Sequence, residues 1–236
     1  PARACRPLAM SGYVVASDAA SFDAEQPGEK GSIVSLAQLP PMPTPNYKEM
    51  RSEAACGCLT VFLIVSGLVA LTHSLVFGGF AIQSINTARL VCYILIWSEA
   101  GIALLCLLGL MLDDPGTVKR SPAACFPLPP EVEEKLLQGQ SLSDMRNVIV
   151  DGRAFCVRCC IWRDGGGESR FAGVSTTHHC DTCQRCVDDF DHHCGVFGRC
   201  IAGEGLRGNM KYFKTIIYMA AAGIFTAIGT MVVQAI

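Results

Sequence analysis

Asp191, His192, His193 and Cys194 stand in a row near the end of a segment that holds eight of the chain's 14 cysteines and four of its five histidines. An acid, an imidazole and a thiol so close together are the parts of an activated nucleophile. A free thiol with a pKa of about 8.5 is only a few per cent thiolate at neutral pH, and a neighbouring base raises its reactivity. The same segment is dense in metal ligands. Two residues separate Cys156 from Cys159, Cys180 from Cys183, and Cys183 from Cys186; such a spacer lets a tight turn aim two thiolates at one tetrahedral zinc ion.

The candidate ligands are Cys156, Cys159, Cys160, His178, His179, Cys180, Cys183, Cys186, His192, His193, Cys194 and Cys200, whereas two closed sites need only about eight. If each site takes three cysteines and one histidine, two thiols are left over. Cys160 follows a knuckle cysteine and has no nearby base, while Cys194 follows an acid and two histidines, so Cys194 is the candidate nucleophile. Two other readings compete: disulfides in a secreted domain, and a closed zinc module that only folds a partner-binding surface. Short repeated spacers and flanking apolar segments favour reduced, metal-bound thiols over disulfides.

Half of the 236 residues are apolar, and the mean hydropathy is positive. The apolar residues fall in blocks at 58–80, 90–112 and 213–236, each about 22 residues or ~33 Å of helix, enough to cross a bilayer. The first block lies too far from the start to be a signal peptide. The expected fold is therefore membrane α-helical: three transmembrane helices, with a small cytosolic zinc-binding cysteine-rich domain of short β-hairpins and loops between the second and third. Lys48 and Arg51 precede the first block and Lys119 and Arg120 follow the second, while the connection between them carries only Arg89. The positive-inside rule then places both outer flanks, and the zinc segment with them, in the cytosol, where thiols stay reduced. With net charge −2 and no basic stripe near the cysteines, nucleic-acid binding is not expected.

Inside the blocks, Glu99 is the ionisable residue at mid-membrane depth, a costly position that points to a cavity or to a hydrogen bond between helices. His73 reads as an interfacial residue at the opposite end of the first span. Residues 1–55, with Pro40, Pro41, Pro43 and Pro45 before the membrane, read as a disordered cytosolic tail. Cys56 and Cys58 sit at the membrane edge, where reversible lipidation is chemically feasible. Residues 113–150 form a cytosolic linker containing a short helix from Glu131 to Leu137, and residues 151–208 form the zinc domain.

Cys180, Cys183, Cys186, then Asp191, His192, His193 and Cys194, then Cys200, resemble the cysteine-rich domain of the DHHC protein S-acyltransferases, the palmitoyltransferases. Asp114, Pro115 and Gly116 after the second span resemble the family's Asp-Pro-Gly signature, and Asn209 with Phe213 resembles the opening of its third span. The resemblance implies two structural zinc ions, one held by Cys156, Cys159, His179 and Cys186, the other by Cys180, Cys183, His193 and Cys200. It implies Cys194 as nucleophile, His192 as its base and Asp191 as the group that orients His192. The implied reaction takes a palmitoyl or other long-chain acyl group from acyl-CoA onto Cys194, then onto a juxtamembrane cysteine of a cytosolic or membrane protein. The implied setting is the bilayer of an endomembrane (Golgi or ER) or the plasma membrane, with multiple spans.

Several positions depart from the family pattern. Gly195 and Val196 stand where Pro-Trp is usual, and Arg199 where Asn is usual. Gly165, Gly166 and Gly167 lie in an insertion, and Gly203 takes the place of the family's glycine after the last ligand. A fourth span and a Thr-Thr-x-Glu motif are expected beyond the third span, so the chain is expected to be a fragment. The alternative function is a catalytically impaired, membrane-anchored zinc module; a ring-type ubiquitin ligase fits the late Cys/His spacing less well.

Overall fold

A computed structural model describes residues 32–78, 87–163 and 177–235. The glycine-rich insertion at 165–167, residues 1–31 of the tail and the predicted span ends at 80 and 236 lie outside the described residues. Among the described residues, three long helices are apolar enough to cross a membrane: α1 Tyr47–Phe77, α2 Thr87–Leu112 and, late in the chain, Met210–Ala235. The chain is a multi-pass membrane protein. Between α2 and the last helix come short helices α3 Pro122–Cys125 and α4 Pro130–Leu137, then seven strands and the last helix, here α5.

The first long helix starts eleven residues before the apolar block at 58 because Asn46 caps it. The Asn46 side chain accepts from the Glu49 backbone N–H at 3.3 Å and donates back to Glu49 Oε2 at 2.5 Å, satisfying amides that a helix start leaves open. The reading of residues up to 55 as disordered is corrected for residues 32–55. A 3-10 turn spans Leu36–Gln38, Ile33 and Leu39 are buried, and Arg120 and Arg185 donate to the carbonyls of Pro40 and Pro43. Prolines without N–H groups leave carbonyls as the only backbone partners here, and the two arginines take them.

The α2 helix packs along α5, and α1 lies against both. Close approach uses small residues: a Cβ on Gly109 would fall 2.6 Å from the Tyr212 ring, and one on Gly223 3.1 Å from Leu68, as expected where apolar lipid supplies no hydrophobic drive and packing decides. At the end of α1 and start of α2, His73, Phe77, Tyr93 and Trp97 form an aromatic cluster with ring centroids 4.8–6.3 Å apart.

The cysteine-rich region is three antiparallel units: the meander β1 Val148–Val150, β2 Arg153–Cys156 and β3 Ile161–Arg163; the hairpin β4 His178–Cys180 with β5 Arg185–Val187; and the hairpin β6 Phe190–Cys194 with β7 Arg199–Ala202. Strands of three to five residues cannot build an apolar core of their own, so these units depend on tethers. One is the Asp-Pro-Gly turn. Asp114 Oδ1 accepts from Gly116 N at 2.9 Å and Thr117 N at 2.7 Å, and the turned chain pairs with β5 through Asp188 N to Gly116 O and Val118 N to Cys186 O, each 2.9 Å. Another is Asn209. Fully buried, it accepts from Ala202 N at 3.0 Å and donates to Cys200 O at 2.8 Å, joining β7 to α5.

Candidate functional site

Each cysteine knuckle is a turn between strands. The residue after its second cysteine, Cys160 in one and Gln184 in the other, has φ near +51°, the left-handed conformation that closes a tight turn at a cost for any residue but glycine. Strand register supplies the remaining ligands: His179 lies opposite Cys186 in the β4–β5 hairpin, and His193 opposite Cys200 in β6–β7. Facing residues put their Cβ atoms about 5 Å apart. The structure thus gathers Cys156, Cys159, His179 and Cys186 into one cluster and Cys180, Cys183, His193 and Cys200 into another, with all ligand atoms of a cluster within 4.8 Å of each other. The clusters interlock because the β4–β5 unit gives its cross-strand pair to one and its turn to the other. His178 stacks on Phe190 instead, at 4.7 Å, and belongs to neither.

The donor sets fit a tetrahedral ion. Zinc bonds of about 2.3 Å to sulfur and 2.0–2.1 Å to nitrogen imply ligand separations near 3.7 Å. His179 Nδ1 lies 3.6, 3.2 and 3.8 Å from its three sulfurs, His193 Nδ1 3.5, 3.4 and 3.9 Å from its own, and Cys183 and Cys200 are 3.5 Å apart. Their chemistry asks for a cation too. Mutual hydrogen bonding pulls Cys156 and Cys180 down and pushes Cys186 and Cys200 far up, because the first thiolate in each cluster opposes the next, so three thiolates side by side need a positive charge among them. Three thiolates around a divalent ion still leave a net negative charge, and an arginine attends each cluster. Burial opposes the Arg163 charge, but Cys156 and Cys186 beside it outweigh that and raise the guanidinium above its ordinary value. Arg199 has Cys183 and Cys200 among its charged neighbours and donates to the Asp113 carbonyl, tying β7 to the end of α2.

Alternation along β6 puts the cluster histidine on one face and its neighbours on the other. Successive side chains of a strand face opposite ways, so His193 can serve the cluster while His192 and Cys194 share the other face. His192 Nδ1 lies 2.7 Å from Asp191 Oδ2, and its ring meets the edge of Phe213 at 5.5 Å. Cys194 is a free, buried thiol that packs with Leu110, Phe197, Ile201 and Ile216, where β6 meets the membrane helices. Cys160, the other surplus thiol, is wholly buried and donates to Val157 O at 3.4 Å; burial pushes it up to about 11, which keeps it protonated.

A cavity of about 200 Å³ lies among α1, α2 and α5, lined by Val61, Leu68, Ile96, Glu99, Ile216 and Gly223 among others. Val61 and Ile216 also pack in the cluster around Cys194, so the cavity borders the apolar residues that enclose that thiol. Glu99 Oε1 accepts from the Thr226 hydroxyl at 2.9 Å, and its Oε2 is buried with no partner among the described residues. Glu99 therefore has both roles read from its position: an interhelical hydrogen bond and a wall of a cavity.

A family model described as DHHC palmitoyltransferase matches residues 149–236. The match covers the cysteine-rich region and the last helix, and over these residues the chain is similar to the DHHC family. Similar proteins include the probable protein S-acyltransferase 15 of Arabidopsis thaliana, 28% identical over 54% of this chain and 41% of its own length. The palmitoyltransferase PFA3 of Candida glabrata is 29% identical over 57% of this chain and 37% of its own, and the human palmitoyltransferase ZDHHC18 is 26% identical over 48% and 27%. The chain spans less than half the length of these relatives.

Two residues of this site, Glu53 and Arg163, escape the sequence reading, and Arg199 enters it only as a substitution beside the last ligand. Glu53 Oε2 lies 3.2 Å from His193 Nε2, and Arg163 and Arg199 attend the clusters. Glu53 sits in a stretch read as tail, and the arginines are isolated charges among cysteines; the pairing register that brings them in is not visible in spacing.

Proposed function

We propose that the chain is a protein S-acyltransferase domain that takes a long-chain acyl group, palmitoyl in the first instance, from acyl-CoA to cysteines of membrane-proximal proteins. The observation that carries the reading is the Asp191–His192 pair on the strand that bears the free thiol of Cys194, which packs with Ile216 and Val61 of an apolar cavity's wall. His192 donates its Nδ1 hydrogen to Asp191, which leaves Nε2 as the acceptor for the Cys194 proton. The resulting thiolate attacks the thioester carbonyl; a carbon–sulfur bond forms, that to coenzyme A breaks, and the departing thiolate takes the proton from His192. The thiol of a substrate cysteine repeats the exchange on the acyl-Cys194 thioester and regenerates Cys194. The two exchanges trade like bonds, so positioning supplies most of the catalysis. The bundle cavity receives the acyl chain, with about 0.8 kcal/mol gained per buried methylene.

The two clusters suit structural zinc, and an ion ligated by all four residues of a cluster would supply folding energy rather than an open coordination site. Cys156, Cys159, His179 and Cys186 would hold one, and Cys180, Cys183, His193 and Cys200 the other. Basic residues flanking the spans favour a cytosolic face for this region. The test is incubation of the purified chain with a clickable palmitoyl-CoA. The expected result is a hydroxylamine-sensitive adduct on the wild type that is lost in Cys194→Ser. A wild-type chain with two zinc ions and no adduct overturns the enzymatic reading and leaves the membrane-anchored zinc module.

A further inference from the structure

His179 and His193 hold equivalent places in the two clusters, but their second ring nitrogens differ. His179 Nε2 is buried without a hydrogen-bond partner among the described residues, with Asp181 Oδ1 standing off at 3.9 Å. His193 Nε2 meets Glu53 Oε2 at 3.2 Å, and both side chains are largely buried. Since Nδ1 of His193 faces the three sulfurs, Nε2 carries the hydrogen and Glu53 accepts it. Glu53 comes from α1, 140 residues away in sequence and outside the residues matched by the family model.

Glu53 is held there by the way α1 lies on the turn after Cys194. A Cβ on Gly57 would fall 2.1 Å from Val196 O, one on Gly198 2.0 Å from Met50 O, and one on Gly195 3.3 Å from Glu53 Oε1. Met50, Glu53, Ala54 and Gly57 share one helical face by their i, i+3, i+4 and i+7 spacing. Glycines on the turn let that face come within contact distance, and Gly195 leaves the room in which the Glu53 carboxylate lies.

We propose that Glu53 is a positioning residue for the second metal cluster: its carboxylate fixes the His193 tautomer and ring orientation and so anchors the strand bearing Asp191, His192 and Cys194 to α1. The proposal rests on reading Cys180, Cys183, His193 and Cys200 as metal ligands. A carboxylate behind a metal-bound imidazole raises its basicity and restricts its rotation, and loss of such a partner typically costs about 10–100-fold in metal affinity. Among the described residues only one of the two clusters has this support, so the expected effect is one-sided.

The experiment loads the full chain in detergent micelles with zinc and follows metal release to a chromophoric chelator, with cobalt(II) absorption as a second readout. In Glu53→Leu, one of two ions is expected to leave about 10–100-fold faster while the other keeps its wild-type rate, and the cobalt spectrum changes for one site alone. Glu53→Gln, whose carboxamide oxygen accepts the same hydrogen bond, is expected to restore release to near the wild-type rate. Should Glu53→Leu not fold, Glu53→Asp, which withdraws the oxygens by one methylene, carries the same one-sided expectation. Wild-type release of both ions, equal acceleration of both, or a Glu53→Gln protein as labile as Glu53→Leu each overturns the proposal. A wild-type chain that binds fewer than two ions fails the ligand reading beneath it instead.

Discussion

Asp191 Oδ2 accepts the Nδ1 hydrogen of His192 at 2.7 Å, although adjacent residues of a regular strand point to opposite faces. The contact is possible because the β6–β7 pairing shifts register between Phe190 and His192, so Asp191 stands off the regular ladder and turns toward its neighbour.

That irregularity makes the acid separable from the metal. Asp191→Asn is expected to slow single-turnover acylation of Cys194 by about 100-fold or more, the usual worth of a positioned acid or base, while zinc content stays at the wild-type value. Labelling kinetics with palmitoyl-CoA alongside metal analysis checks both halves. Unchanged kinetics would remove Asp191 from the proposed mechanism.

His192 and His193 are neighbours with different expected fates. On the proposed ligand set, His193→Ala removes a ligand of a structural ion that can be worth roughly 10 kcal/mol or more, so it should lose one zinc and unfold the β6–β7 hairpin. His192→Ala should keep both ions and the wild-type melting curve but lose acylation. Metal counts and thermal unfolding of the two variants side by side decide between these outcomes.

The Asp-Pro-Gly turn should make docking of the zinc domain acid-sensitive. Burial raises the Asp114 carboxyl, but hydrogen bonds from the Thr117 and Gly116 amides outweigh it and hold the group below its ordinary 3.8. A depressed folded value means that the unfolded chain binds the proton more readily. The stabilisation is complete above 3.8 and disappears as pH falls through the lower folded value. Thermal unfolding of wild type and Asp114→Asn should therefore differ least at the acid end and reach a constant gap above about pH 5. A gap that widens on acidification contradicts the assignment.

Asn209→Leu leaves the Ala202 amide and the Cys200 carbonyl buried and unpaired, at about 2–4 kcal/mol for the two groups. Because Cys200 is in the second cluster, faster zinc loss should accompany the lower melting temperature. A melting temperature within a degree of the wild type would show that neither bond matters.

Gly198 has φ +62°, and a Cβ there would strike Met50 O. Gly198→Ala is expected to cost about 1–3 kcal/mol from overpacking and to lift α1 from the turn after Cys194. Protease sensitivity near residue 50 reports the displacement; wild-type resistance argues against it.

Local chemistry by itself determined much of this protein. Runs of about 20 apolar residues have no folded alternative as economical as a spanning helix, and two-residue cysteine spacers announce tetrahedral ligation wherever they lie. The Asp191–Cys194 run likewise set a carboxylate, two imidazoles and a thiol side by side before any contact was known. Other features were decided only in three dimensions. Residues 32–55 read as a tail because prolines and polar residues carry no periodicity, but Asn46 starts a helix there, and Arg120 and Arg185 bind its proline carbonyls. Glu53 was one charge among several until the close fit of Met50 on Gly198 brought it to His193. The interlocking of the clusters, the cavity that ends at Glu99 and the arginines beside the thiolates depend on strand register and helix approach, distances that linear spacing does not encode.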